Sequence, residues 1–204
     1  MLPPTMLSMA RARGFSTGTV YSWDWFSNLI SPSSVDLETM CADGDDVCVC
    51  ETVLGWIEKG VFPQYSFVYF GSIDEAGHAY GWGSDEYYTA VRAVDVHIGK
   101  ILDALKKTDM LNSILIATTA DHGGFGRDHG GFDQANMETP VIYTNFGNNR
   151  IKRGYINEIH SNVRFLPTCL HAMGWKETLP GYFATPLNIL NTPSVSDMTE
   201  VIVQ

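Results

Sequence analysis

Two stretches of this sequence are apolar enough to be buried on both faces, and each runs straight into an acidic residue. Tyr65-Ser-Phe-Val-Tyr-Phe-Gly-Ser-Ile73 stops at Asp74, and Ser113-Ile-Leu-Ile-Ala-Thr-Thr-Ala120 stops at Asp121-His122. Such short, nearly continuous runs are typical of strands covered on both sides. Between them lies a helical pattern. Ser84 offers an N-cap and Asp85 and Glu86 an acidic first turn. Tyr87, Val91, Val94, Ile98, Ile101, Leu102 and Leu105 then recur at spacings of three and four, up to Lys106-Lys107. Strands alternating with helices predict an α/β fold with a largely parallel sheet and helices on both faces.

The rest of the chain fits that scheme. Thr5 to Arg13 reads as a short helix capped by Thr5 and closed by Gly14, followed by a β-branched and aromatic strand ending near Ser22. Asp36 to Asp46 is acidic and reads as a surface excursion. Val47 to Lys59 reads as a helix, Pro140 to Asn145 as a third central strand, and Glu158 to Met173 as a closing helix interrupted or started by Pro167. Residues 1–192 are expected to form one domain, with 193–204 a peripheral tail.

Composition narrows the function classes. With 204 residues, 45% hydrophobic and 18% charged, the chain is neither disordered nor fibrous. It carries 13 Lys and Arg against 23 Asp and Glu, a net charge of -10, so binding to a nucleic-acid backbone is not expected. An anionic substrate needs a local reversal of that field, such as a bound cation. No apolar run approaches the roughly 20 residues of a membrane span, and Met1 to Ser8 lacks the pattern of a signal peptide. Cys41, Cys48 and Cys50 crowd the acidic stretch without zinc-site spacing, which allows a Cys41–Cys48 or Cys41–Cys50 bridge in an oxidising compartment.

Ligands of open α/β sheets bind beyond the carboxyl ends of the strands, where both acidic residues fall. Asp74 is followed by His78, and glycines at 77, 81 and 83 favour a loop that folds both side chains onto one ion. Asp121-His122 leads into a glycine-rich segment through Gly131. There Gly123-Gly124 permits a sharp turn and His129 can swing back across the strand ends. Mixed carboxylate and imidazole donors suit Zn²⁺, Mn²⁺ or Fe rather than Ca²⁺. Five such donors exceed one tetrahedral site, and two ions about 4 Å apart would use them in displacement at phosphorus.

The run Phe67 to Gly81, the helix through Asp95 and Gly99, Thr119 to Gly124 and His129-Gly130-Gly131 together resemble the alkaline phosphatase superfamily, in its type I phosphodiesterase/nucleotide pyrophosphatase branch. Glu138-Thr-Pro140-Val-Ile-Tyr143 and Phe165-Leu-Pro167-Thr168 add to the likeness. The resemblance implies an alkaline-phosphatase-like fold lacking its N-terminal part, and a metal-dependent phosphoric ester hydrolase acting on a small phosphoester through two divalent ions, Zn²⁺ foremost with Mn²⁺ the alternative. Asp74, His78 and His129 would hold one ion, Asp121 and His122 would contribute to the other, and His160 and His171 are available substitutes for His129. It further implies that an Asp ligand and a Thr or Ser nucleophile precede this segment, leaving the catalytic nucleophile unassigned and a non-catalytic metal-binding relative as the alternative. Sulfatases, phosphonate hydrolases and phosphoethanolamine transferases share the class, and the branch is often secreted or lumenal. Arg127 is a candidate for bidentate contact with a phosphate oxygen. Tyr80, Trp82 and Phe125 adjoin the ligand segments as stacking or shielding aromatics.

Overall fold

A computed structural model describes residues 5–146, 151–156, 159–175, 184–190 and 200–203. Its elements are α1 (Met6–Ala12), β1 (Thr17–Tyr21), β2 (Leu37–Met40), α2 (Asp46–Glu58), β3 (Tyr65–Tyr69), α3 (Ser72–Tyr80), α4 (Asp85–Lys107), β4 (Ile114–Thr119), α5 (Gln134–Met137), β5 (Val141–Thr144), α6 (Phe165–Ala172) and β6 (Glu200–Val203). The six strands form one sheet in the order β2-β1-β3-β6-β4-β5. Every pairing is parallel except β4 with β5.

Alternation along the strands sends neighbouring side chains into two separate cores, as the pleat requires. Val20, Val68 and Ile114 pack with α2 and α4, through Val49, Val53, Ile57, Val94, Ile101 and Leu105. Tyr21, Tyr65, Leu115 and Ala117 pack on the other face with α1 and α6, through Leu7, Ala10, Cys169 and Ala172. Two buried faces are what the continuous apolar runs require. Burial raises the Cys169 thiol to about 12, so it acts as an inert core residue.

The structure corrects the sequence reading at several places. The acidic stretch is no simple surface excursion, because Leu37–Met40 forms the parallel edge strand β2. The helix after it starts at Asp46, with Asp45 as N-cap, and Asp46 itself is buried. Cys41 bridges Cys48, leaving Cys50 free and buried. The closing helix is shorter than expected. Asn162–Arg164 is a 3₁₀ turn and α6 begins at Phe165, so Pro167 sits in the first turn, where a missing N–H costs no hydrogen bond. Glu158, proposed as its start, lies outside the described residues.

Residues 200–203 of the expected peripheral tail instead occupy the middle of the sheet. Tyr65–Phe67 of β3 and Ile114–Ala117 of β4 both pair with β6. A Glu-Val-Ile-Val sequence has the β-branched content of an interior strand, and its backbone satisfies the facing edges of β3 and β4. Residues 191–199 lie outside the described part.

Candidate metal centre

The C-terminal ends of β3 and β4 deliver the two ligand-bearing segments to the same edge. After β3 the chain enters α3, where the sequence reading expects a loop. Asp74 and His78 therefore lie one turn apart on a single helix face, with His78 Nε2 3.5 Å from Asp74 Oδ2. Gly77 does not break this helix, because its missing side chain makes room for Trp82: a Cβ there would lie 2.7 Å from the indole. Gly81, at φ +105°, ends it.

Helix α3 has no side-chain cap of its own, since its N-cap is Gly71. Asp46 supplies one from a distance. Its carboxylate accepts from the Gly71 N–H at 2.8 Å, from the Ser72 N–H at 3.3 Å, from the Ser72 hydroxyl, and from the Ser22 hydroxyl at 3.1 Å. One buried charge thus joins the end of β1, the start of α2 and the start of α3, with its lone pairs satisfied as burial demands. Sequence reasoning did not single out Asp46. The signal available was the last of three acids, Asp43, Asp45 and Asp46, ahead of a helix, a pattern usual on solvated surfaces.

The second segment, from Asp121 to Gly131, is irregular. Neither Gly123 nor Gly124 has a positive φ, so the sharp turn expected of them is not their role. They are small because something else is close: a Cβ at Gly123 would lie 2.1 Å from the Ala135 carbonyl, and one at Gly124 would lie 2.2 Å from the Trp82 ring. Turning falls to Gly126 (φ +64°) and Gly130 (φ +96°). The Gly123 N–H donates to the Asn136 carbonyl at 2.9 Å, which ties the segment to α5.

Among the described residues, Asp74, His78 and His129 form a group whose ligand atoms all lie within 4.8 Å of one another. Neither His160 nor His171 joins it, and His171 lies in the last turn of α6. The His122 and His129 rings stack with centroids 3.7 Å apart, and His78 and His129 are 5.0 Å apart. His122 Nε2 lies 3.5 Å from Asp121 Oδ2 and 4.0 Å from Asp74 Oδ1. Asp74 therefore faces an imidazole with each oxygen.

The hydrogen bonds fix which ring nitrogens are free. His78 Nδ1 meets the Arg127 carbonyl at 3.0 Å and His122 Nδ1 meets the Gly123 carbonyl at 2.9 Å. A carbonyl only accepts, so in the neutral rings both Nδ1 atoms carry the proton and both Nε2 lone pairs face the carboxylates. Asp74 Oδ1 is buried without a hydrogen-bond partner. An orphaned carboxylate oxygen beside unprotonated imidazole nitrogens is a donor set that fits a divalent cation. Tyr69, at the end of β3, was also missed by sequence reasoning. Burial, with Asp121 and Asp74 next in effect, holds its phenol far above the ordinary range.

Arg127 contributes its backbone carbonyl, as above, and its side chain is exposed. Thr5 caps α1, accepting from the Ser8 N–H at 3.2 Å. Tyr80 and Phe125 are exposed, whereas Trp82 is partly buried between the two segments.

Comparison with known proteins finds similarity over the part of the chain that carries this edge. Residues 39–130 match the model described as type I phosphodiesterase / nucleotide pyrophosphatase. Ectonucleotide pyrophosphatase/phosphodiesterase family member 7 of Mus musculus is 35% identical over 74 residues, which is 36% of this chain and 16% of the relative. N-acetylglucosamine-6-O-sulfatase of Bacteroides thetaiotaomicron is 36% identical over 95 residues, 44% of this chain and 17% of the relative. The chain thus spans under a fifth of the length of these curated relatives. A solved structure of murine ectonucleotide pyrophosphatase / phosphodiesterase 5 aligns with TM-score 0.48 and 20% identity over 59% of this chain and 32% of the other. Among the described residues, no helix is long and apolar enough to cross a membrane. The matched segment 39–130, which holds Asp74, His78, Asp121, His122 and His129, is similar to the type I phosphodiesterase / nucleotide pyrophosphatase family.

Proposed function

We propose that this chain is the ion-holding portion of a metal-dependent phosphoric ester hydrolase, with Asp74, His78 and His129 as ligands of one divalent ion and Asp121 and His122 contributing to a second. The observation that carries the reading is the unpartnered Asp74 Oδ1 at the centre of the three-ligand group. Zn²⁺ fits the donors best and Mn²⁺ next. When bound, two such ions supply charge stabilisation to the attacking and leaving oxygens at phosphorus. The chain's own residues hold the ligands in place, through the Arg127 and Gly123 carbonyls on the imidazoles and Asp46 on α3. The exposed Arg127 guanidinium is available to a phosphate oxygen at the mouth of the site. Ion binding also offsets the net charge of -10 where an anionic small-molecule ester must approach.

The nucleophile is not assigned to any described residue. Thr5 is engaged in capping α1, and the Ser72 hydroxyl is bound to Asp46. The chain by itself is therefore proposed to bind ions without turnover, the attacking hydroxyl and one further Asp ligand coming from elsewhere. Metal analysis of the purified chain should find at least one equivalent of Zn²⁺ or Mn²⁺, lost on Asp74→Ala; retention of metal by that variant would overturn the ligand assignment. Assays with mono- and bis-nitrophenyl phosphate should show no turnover by the chain alone, and turnover would place a nucleophile within it. The match to a sulfatase supports a second reading as a sulfuric ester hydrolase. Product inhibition by phosphate against sulfate, measured as displacement from the metal-loaded chain, separates the two: tighter phosphate binding supports the first.

A further inference from the structure

We infer that Trp82 is a positioning residue for the ion site, the side chain that holds the His129 segment against helix α3; this rests on the ion-binding reading above. The indole lies between two glycines, one from each ligand-bearing segment. A Cβ at Gly77 would stand 2.7 Å from the ring and one at Gly124 2.2 Å, so the ring touches both backbones where no other residue type leaves room. Beside the ring, the Trp82 backbone N–H donates to the Gly126 carbonyl at 2.8 Å, a bond that any residue at 82 except proline keeps. The ring also meets the two imidazoles edge to face, His78 at 5.1 Å with 84° between planes and His129 at 5.9 Å with 73°. These contacts fix ring planes as well as distances.

The glycines themselves support the assignment. Gly77 lies inside α3, where glycine costs roughly 1 kcal/mol relative to alanine. Gly124 has no positive φ to justify it. Both positions are explained by close approach of one indole. His78 and His129 are 51 residues apart in sequence, and the Trp82 ring is in contact with both. Removing it leaves the ligand atoms in place covalently but frees the loop that carries His129.

The test uses the full chain, titrated with Zn²⁺ by calorimetry and with Co²⁺ by visible absorption, in wild type, Trp82→Phe, Trp82→Ala and Gly124→Ala. Trp82→Ala should weaken Zn²⁺ binding by about 10- to 100-fold, the usual effect of losing an outer-shell partner, and should alter the Co²⁺ ligand-field bands. Trp82→Phe should restore part of the affinity. Gly124→Ala changes no ligand and retains the indole, and displacing the ring should reproduce the weakened binding. Thermal unfolding of the metal-free proteins reports the fold separately. A purely structural role predicts a lower melting temperature with wild-type Co²⁺ bands and Zn²⁺ affinity in the folded variants, and that result overturns the inference. Should Trp82→Ala not fold, Gly124→Ala and Trp82→Phe decide by the same two readouts. Failure of wild type to bind either metal overturns the ion-binding reading and this inference with it, whereas wild-type binding unchanged in the variants overturns this inference alone.

Discussion

Asp74 and His78 reach the candidate metal site from consecutive turns of α3, whereas Asp121, His122 and His129 reach it from a stretch with neither helix nor strand ladder. The helix holds Asp74 and His78 together by geometry that any i, i+4 pair shares, and its origin is nailed down by the buried Asp46 carboxylate. The glycine-rich segment has one internal tie, the antiparallel bridge between Phe125 and Asp128. The rest of its shape comes from neighbours: the Asn136 carbonyl on Gly123, the Trp82 ring on Gly124, and the Trp82 backbone N–H on Gly126. One half of the site is stiff chiefly from within and the other chiefly from without. Loosening what braces the first should act through stability of the fold, and loosening what braces the second through affinity.

That contrast can be broken or sharpened by measurement. The largest effect belongs to Asp74→Ala, because Asp74 faces both His78 and His122 while the 65% exposed Asp121 side chain faces His122 alone. Zn²⁺ affinity by calorimetry should fall by more than the roughly 100-fold ascribed to outer-shell losses, and further than for Asp121→Ala; equal losses would remove the central role of Asp74. Next comes Asp46→Ala, which strands the Ser72 N–H and leaves the Gly71 N–H only the Ser22 hydroxyl, and should cost about 3 kcal/mol in urea unfolding. A loss below about 1 kcal/mol would show that α3 does not depend on its borrowed cap. The Cys41–Cys48 bridge ties β2 to the first turns of α2 beside Asp46. Cys41→Ser should lower stability by about 2.5 kcal/mol by loop-closure entropy, and an unchanged denaturation midpoint would argue against the bridge in the native protein.

Smaller effects test the loop. Gly126 sits at φ +64° with open space around it, so Gly126→Ala is penalised by backbone strain alone, roughly 1–2 kcal/mol. Because this segment carries His129, Zn²⁺ affinity should drop several-fold with little change in Asp46-dependent stability; a purely global loss would count against a separately braced loop. Last is Ser84→Ala, which removes the side chain accepting from the Tyr87 N–H at the start of α4. It should cost about 1 kcal/mol and leave Zn²⁺ affinity at the wild-type value, and a change in affinity would extend the site into α4.

The parts legible in the sequence are those with a period or a composition of their own. The β3 and β4 runs, the Ser84-capped α4 and the position of Asp74 and Asp121 just beyond strand ends all follow from local pattern, and α4 indeed spans Asp85–Lys107. What escaped depends on partners distant in sequence. Glycine at 77 suggested a loop because the approaching Trp82 ring is invisible along the chain, and Gly123 suggested a turn because Ala135 is. Asp46 resembled its solvated neighbours Asp43 and Asp45 until β1 and α3 closed over it. The strand Leu37–Met40 is short and half exposed, as an edge strand is, and so carried little apolar signal.

The central place of β6 bears on the order in which this molecule assembles. Strands β3 and β4 do not pair with each other; both pair with residues 200–203, the strand farthest from β3 in sequence. Neighbouring pairs such as β1 with β2, or β4 with β5, close short loops and can form early, whereas joining the two halves closes a loop spanning most of the chain. The edge that carries the candidate ligands is therefore expected to be the last part of the sheet to acquire its final spacing. A cation offered during refolding is then expected to meet Asp74 and His78 before the complete set of candidate ligands.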